Sequence, residues 1–148
     1  MPAKRAKRLE PVNTLMSAAE RECAQHLAAL QSRLLEAEQR CQELRRYLSE
    51  YHTSFRQRAK SGIGVGGMRD YQLFIARLGE AVQQQDGVVA QLRGDCERAR
   101  TKWREAAARK SAVGKVIENA RAEESQLEAR RQQHEIDERA QRADRSGS

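Results

Sequence analysis

Apolar residues recur along this chain at alternating steps of three and four in two long runs, interrupted once by Ser61-Gly62-Ile63-Gly64-Val65-Gly66-Gly67. The first stripe is Cys23, Leu27, Leu30, Leu34, Ala37, Cys41, Leu44, Leu48, Tyr51 and Phe55. The second is Met68, Tyr71, Ile75, Leu78, Val82, Gln85, Val89, Leu92, Cys96, Ala99, Trp103, Ala106, Lys110, Val113, Ile117, Ala120, Glu124 and Leu127. A repeat of about 3.5 residues keeps one narrow stripe of a helix against one partner. The pattern predicts an all-α fold, an antiparallel coiled-coil hairpin of two long helices with its turn at residues 61–67 and a longer second helix.

Local signals set the expected boundaries. Pro2 and Pro11 both precede the first run, and proline is tolerated at or before a first helical turn. Helix one is therefore expected to start between Leu9 and Thr14, capped by Asn13 or Thr14. Residues 1–10 are read as a basic flexible tail, 11–140 as the hairpin and 141–148 as disordered. Folding back at the glycines allows two registers, with Tyr51 facing either Ile75 or, one heptad along, Val82. In either, helix one is expected to run out opposite about Val113 to Ala120, leaving the rest of helix two single. Gly79, Gly87, Gly94 and Gly114 interrupt helix two and are read as bends, close-packing points or simply tolerated glycines, each costing about 1 kcal/mol relative to alanine.

Composition narrows the function classes. Hydrophobic residues are 39%, aromatics 4% and charged residues 33% of 148, the balance of long solvated helices rather than of a globular core. No segment has the roughly 20 apolar residues of a spanning helix. The basic start Met1-Pro-Ala-Lys-Arg-Ala-Lys-Arg8 lacks the apolar stretch of a secretory signal. A cytoplasmic protein is expected. Cys23, Cys41 and Cys96 all fall on the stripes, where a thiol behaves as a small hydrophobe, so neither a disulfide framework nor a metal site is expected. Gly62-Ile-Gly-Val-Gly-Gly67 has neither the following Lys-Ser/Thr nor the preceding strand of a phosphate loop. Two helices offer no enclosed cleft for a catalytic set. The chain reads as a non-enzyme with no cofactor.

The formal net charge is +7. Lys4, Arg5, Lys7 and Arg8, with Arg98, Arg100, Lys102, Arg104, Arg109 and Lys110, could neutralise phosphates, but Asp95, Glu97 and Glu105 interleave with the second group. A solvated basic face is preferred to a nucleic-acid footprint. A basic nucleic-acid-binding coiled coil and a generic oligomerising scaffold remain as alternatives, whereas a self-satisfied hairpin should be monomeric by itself.

The stripes do not account for every apolar residue. With Leu34, Cys41 and Leu48 at heptad position a, Ala37, Leu44 and Tyr51 fall at d and Tyr47 at g. In helix two Ile75 and Val82 fall at a, Leu78 and Gln85 at d, and Phe74 and Ala81 at g. Antiparallel helices flank their seam with g rows on one edge and e rows on the other, so Tyr47, Phe74 and Ala81 share an edge beside Leu44, Tyr51 and Leu78. These residues either widen the seam or form a docking patch, since aromatics beside polar rims make binding anchors.

In length and layout the chain resembles the FliJ family of the bacterial flagellar type III export apparatus. The likeness is most specific in Leu44-Arg-Arg-Tyr47-Leu-Ser-Glu-Tyr51, the glycine-rich turn, Tyr71-Gln-Leu-Phe74-Ile-Ala-Arg-Leu78, Trp103-Arg-Glu105 and Asp137-Glu-Arg-Ala-Gln-Arg142. The resemblance implies a stalk-like coiled coil whose open end enters the hexameric ring of the export ATPase FliI and whose tip region reaches the export gate protein FlhA. It also implies a part in recycling export chaperones and a peripheral place on the cytoplasmic face of the inner membrane at the flagellar base. By the same resemblance, Leu44, Tyr47, Tyr51, Phe74, Leu78, Ala81 and Gln85 would contact the gate. Arg40 and Gln85 depart from the family pattern, which leads one to expect Gln and His there. Arg98, Arg104 and Lys110 are the candidate ring contacts. The stalk of a virulence-type type III secretion system would share this architecture.

Overall fold

The computed structural model describes residues 2–147, and the side chains of residues 5–147. It holds two helices, α1 (Pro2–Lys60) and α2 (Val65–Ser146), packed as a helical hairpin in which α2 is the longer. The chain divides into two compact units. One combines the N-terminal segment as far as Cys23 with Trp103 onward; the other is Ala24–Lys102.

In the Ala24–Lys102 unit the predicted stripes are the seam. Ala37, Cys41 and Val89 form a buried cluster with Leu34 and Leu92 against it, and Leu27, Leu30, Val82, Cys96 and Ala99 are also buried. The register is the first of the two expected. Phe55 and Tyr71 stack with ring centroids 5.9 Å apart, and Gln85 Nε2 donates across the seam to the Ala37 carbonyl at 3.1 Å. These contacts set Tyr51 opposite Ile75.

Charges in the e rows explain the choice. Arg45 pairs with Asp86 at 2.7 Å and Arg93 with Glu38 at 3.5 Å, each from one e row to the other. A slip of one heptad to Tyr51–Val82 would bring Arg45 opposite Arg93 and Glu38 opposite Arg100, trading one attractive pair for a repulsive one. Such flanking charges select register in coiled coils even where each pair adds little stability.

In the unit that contains Trp103, the same periodicity reaches further back than predicted. Ala6, Ala106, Ile117 and Ala120 are buried, and Leu9, Asn13, Met16 and Glu20 are half-buried at steps of four and three. The expected start of helix one between Leu9 and Thr14 is thus corrected to Pro2, with Pro11 inside α1. A mid-helix proline forfeits one backbone hydrogen bond and crowds the carbonyl four residues back, at a cost of about 3 kcal/mol. Pro11 and Lys7 are both exposed, so water can serve the orphaned Lys7 carbonyl while Ala6 and Leu9 keep the seam. Residues 1–10, expected as a tail, are helical from Pro2.

The earlier start also moves the end of pairing. Ala120 is only 2% exposed and Glu124 is half-buried, whereas every described residue from Ser125 onward is exposed. Helix one therefore covers α2 slightly beyond the predicted Val113 to Ala120. Leu127 and Lys110, placed on the stripe by their spacing, are exposed. Residues 141–146, expected as disordered, continue α2. Upstream in the same polar stretch His134 and Glu138 approach to 3.3 Å, the i,i+4 kind of contact that supports an exposed helix.

The turn is shorter than residues 61–67. Ile63 N–H donates to the Arg58 carbonyl and Ser61 N–H to the Gln57 carbonyl, both at 3.2 Å. Gly62, with φ of +90°, supplies the left-handed residue that this helix ending needs. Helix α2 resumes at Val65, so Gly66 and Gly67 belong to its first turn. A Cβ at Gly67 would stand 2.9 Å from Ile63 Cγ1, so a larger residue there would require the Ile63 side chain to shift. Gly79, Gly87 and Gly114 have open space where a Cβ would lie; of the readings offered for them, close packing is excluded.

Candidate functional site: an aromatic edge beside the turn

The aromatic residues gather where the helices approach the turn. Tyr51 lies 4.5 Å from Phe74 and 6.4 Å from Tyr71 between ring centroids, tilted by 42° and 55°. Such tilted pairs contribute about 0.5–1.5 kcal/mol beyond the area they bury. Tyr51 is at d, yet a two-helix layer is too narrow to enclose a phenol ring. It leans out and stays 37% exposed beside Phe74 at 45%, and Tyr47 one turn back is 47% exposed. Arg46 lies 5.9 Å from the Tyr47 ring centroid, and Arg58 lies 5.5 Å from that of Tyr71.

The other predicted gate residues are less available. Leu44, Leu78 and Ala81 are half-buried, forming the floor from which the rings project. Gln85 is also half-buried and spends its amide on the Ala37 carbonyl, so it looks across the seam. The structure thus joins Tyr51 and Phe74 directly and brings in Tyr71 and Phe55, which spacing had assigned to the seam alone. Their signal in the sequence was the gathering of Tyr51, Phe55, Tyr71 and Phe74 on the two sides of the glycine turn.

The e edge of the same unit carries a polar cluster that spacing did not reveal. Cys41 Sγ donates to Asp86 Oδ1 at 2.9 Å, and Arg45 Nη2 donates to Oδ1 and Oδ2 at 2.8 and 2.7 Å. The Cys41 thiol and the Arg45 guanidinium hold the Asp86 carboxyl below its usual range, and the carboxylate in turn raises Arg45. These groups, with Glu38, Gln42, Val89, Ala90 and Arg93, line an open groove of about 420 Å³.

The candidate ring contacts are dispersed. Arg98, in the Ala24–Lys102 unit, pairs with Asp95 one turn back on α2. In the other unit, Lys110 approaches Glu20 Oε2 at 3.9 Å, and Trp103 Nε1 donates to Glu20 Oε1 at 2.9 Å. Arg104 is exposed. Glu20 escaped notice because its seam position is seen only when the heptad phase is counted back past Cys23. Among the described residues no three His, Cys, Asp or Glu side chains cluster as metal ligands, and no helix is long and apolar enough to cross a membrane.

Comparison with known proteins adds one finding. No curated protein and no solved structure matches the chain. The family model described as flagellar FliJ protein matches residues 5–147, nearly the whole length and both helices of the hairpin. On that match the chain belongs to the FliJ family of flagellar proteins.

Proposed function

We propose that this protein is a non-enzymatic link in flagellar protein export, joining the export ATPase FliI to the export gate FlhA. Membership of the FliJ family makes it a component of the export apparatus. The observation that carries the finer reading is the exposed aromatic edge of Tyr47, Tyr51 and Phe74 over Leu44, Leu78 and Ala81. Large rings beside a charged rim form the kind of anchor that dominates a protein interface, where truncating one costs about 2 kcal/mol or more. The gate is assigned to this edge. The FliI ring is assigned to the unit containing Trp103, whose Arg104 and Lys110 are exposed; Arg98, in the Ala24–Lys102 unit, is a separate candidate contact. Attachment to the membrane would be peripheral, through these partners, and empty export chaperones would be handed on from the same assembly.

Two measurements test this reading. The purified chain should bind FliI and raise ATP turnover, and reversing charge at Arg98, Arg104 and Lys110 should weaken that association. Tyr47→Ala with Phe74→Ala should abolish FlhA binding and motility while helicity is kept. Full gate binding by the double variant would reduce the aromatic edge to a structural role.

A further inference from the structure

The two edges of the Ala24–Lys102 hairpin unit treat their charges differently. On the e edge, Arg45 and Arg93 are each matched by an acid from the opposite helix, Asp86 and Glu38. On the g edge, the register sets Tyr47 opposite Phe74, Arg40 opposite Ala81 and Arg33 opposite Val88. None of these three facing pairs contains an acidic residue. Arg33 and Arg40 are exposed, and among the described residues neither forms an ion pair or a hydrogen bond. Glu36 and Glu43, one turn further along α1, do not reach them, and Asp95, the next g residue of α2, is taken by Arg98. Val88 beside Arg33 is 47% exposed.

We propose that this edge, from Tyr47 and Phe74 to Arg40 and Arg33, docks a partner protein segment in which an apolar anchor is followed by acidic side chains about 10 Å apart. This rests on the reading of the aromatic edge as the gate contact and adds the chemistry its occupant must have. The two arginines are seven residues apart, so two helical turns separate them by about 10.5 Å. Acids at i and i+7 of a docked helix meet that spacing on one face. A guanidinium with no internal partner offers a planar fork for bidentate bonding to carboxylate. Ala81, Val88 and Phe74 on the facing row favour a protein segment over a nucleic-acid backbone, which would present phosphates without apolar groups.

Titration of the full-length chain against purified FlhA at several salt concentrations tests this, with four proteins compared. These are the wild type, Arg33→Glu with Arg40→Glu, Arg33→Gln with Arg40→Gln, and Tyr47→Ala with Phe74→Ala. Charge reversal is expected to weaken binding roughly tenfold or more at low salt, neutralisation less, and both to flatten the salt dependence. Circular dichroism should match wild type throughout. If the arginine variants bind as wild type while the aromatic variant fails, the acidic-segment proposal falls and the gate reading stands. If all variants bind equally, both fall. Arginine variants that lose affinity for duplex DNA but not for FlhA would also overturn the proposal, in favour of a phosphate-binding edge.

Discussion

Arg45 on α1 holds both carboxylate oxygens of Asp86 on α2, at 2.8 and 2.7 Å, while the buried Cys41 thiol donates to one of them at 2.9 Å. The three groups tie the partly exposed e edge to the apolar seam. Because the seam repeats every heptad, apolar packing alone would tolerate a slip; this pair does not. Reversing one charge, as in Asp86→Arg, should lower the melting temperature and allow the alternative register. The exchange Arg45→Asp with Asp86→Arg should restore both. Distances between spin labels on Gln57 and Gln72 would report the register directly.

The same contact predicts a dependence on acid. Asp86 titrates lower in the folded chain than its unfolded value of about 3.9. Its contribution is therefore present above that unfolded value and is lost as pH falls through the lower folded one. Melting temperatures of the wild type and Asp86→Asn should differ at pH 6 and converge well below pH 4. A difference that persists at pH 2 would show that the carboxylate charge is not what stabilises the site.

Glu20 is a seam acid shared by Trp103 Nε1 and Lys110. Glu20→Gln keeps an acceptor for the indole and should leave its environment nearly unchanged. Glu20→Leu leaves a half-buried N–H unpaired, at about 1–3 kcal/mol. Trp103 is the single tryptophan, so the position of its fluorescence maximum reads this contact without interference.

Backbone substitutions should divide by position. Gly87 has open space where a Cβ would lie, so Gly87→Ala should raise stability by about 0.4–1 kcal/mol. Gly62→Ala must adopt a positive φ and should lower it by about 1–2 kcal/mol. Thermal melts of the two variants should move in opposite directions.

Pro11→Ala restores a backbone donor within α1 and should slow amide exchange in residues 5–15. Unchanged exchange there would mean that the proline imposes no local penalty on the helix.

Heptad spacing by itself determined that there are two helices, where the chain reverses, most of the seam between Leu27 and Ala120 and which rings are left on the g edge, but not the seam residues before Cys23 nor the exposure of Lys110 and Leu127. It could do so because a helix of 3.6 residues per turn allows only one stripe to stay against a neighbour. The resemblance to the FliJ family was legible in short local runs for the same reason: the rings, turn glycines and terminal charges occur in order along the chain. Tertiary structure decided the register, since both candidates satisfy the seam and only Arg45–Asp86 and Glu38–Arg93, pairs distant in sequence, tell them apart. It also decided that α1 starts at Pro2 despite Pro11. A local rule counts the lost hydrogen bond, while the burial of Ala6 and Ala120 that offsets it needs both helices in place.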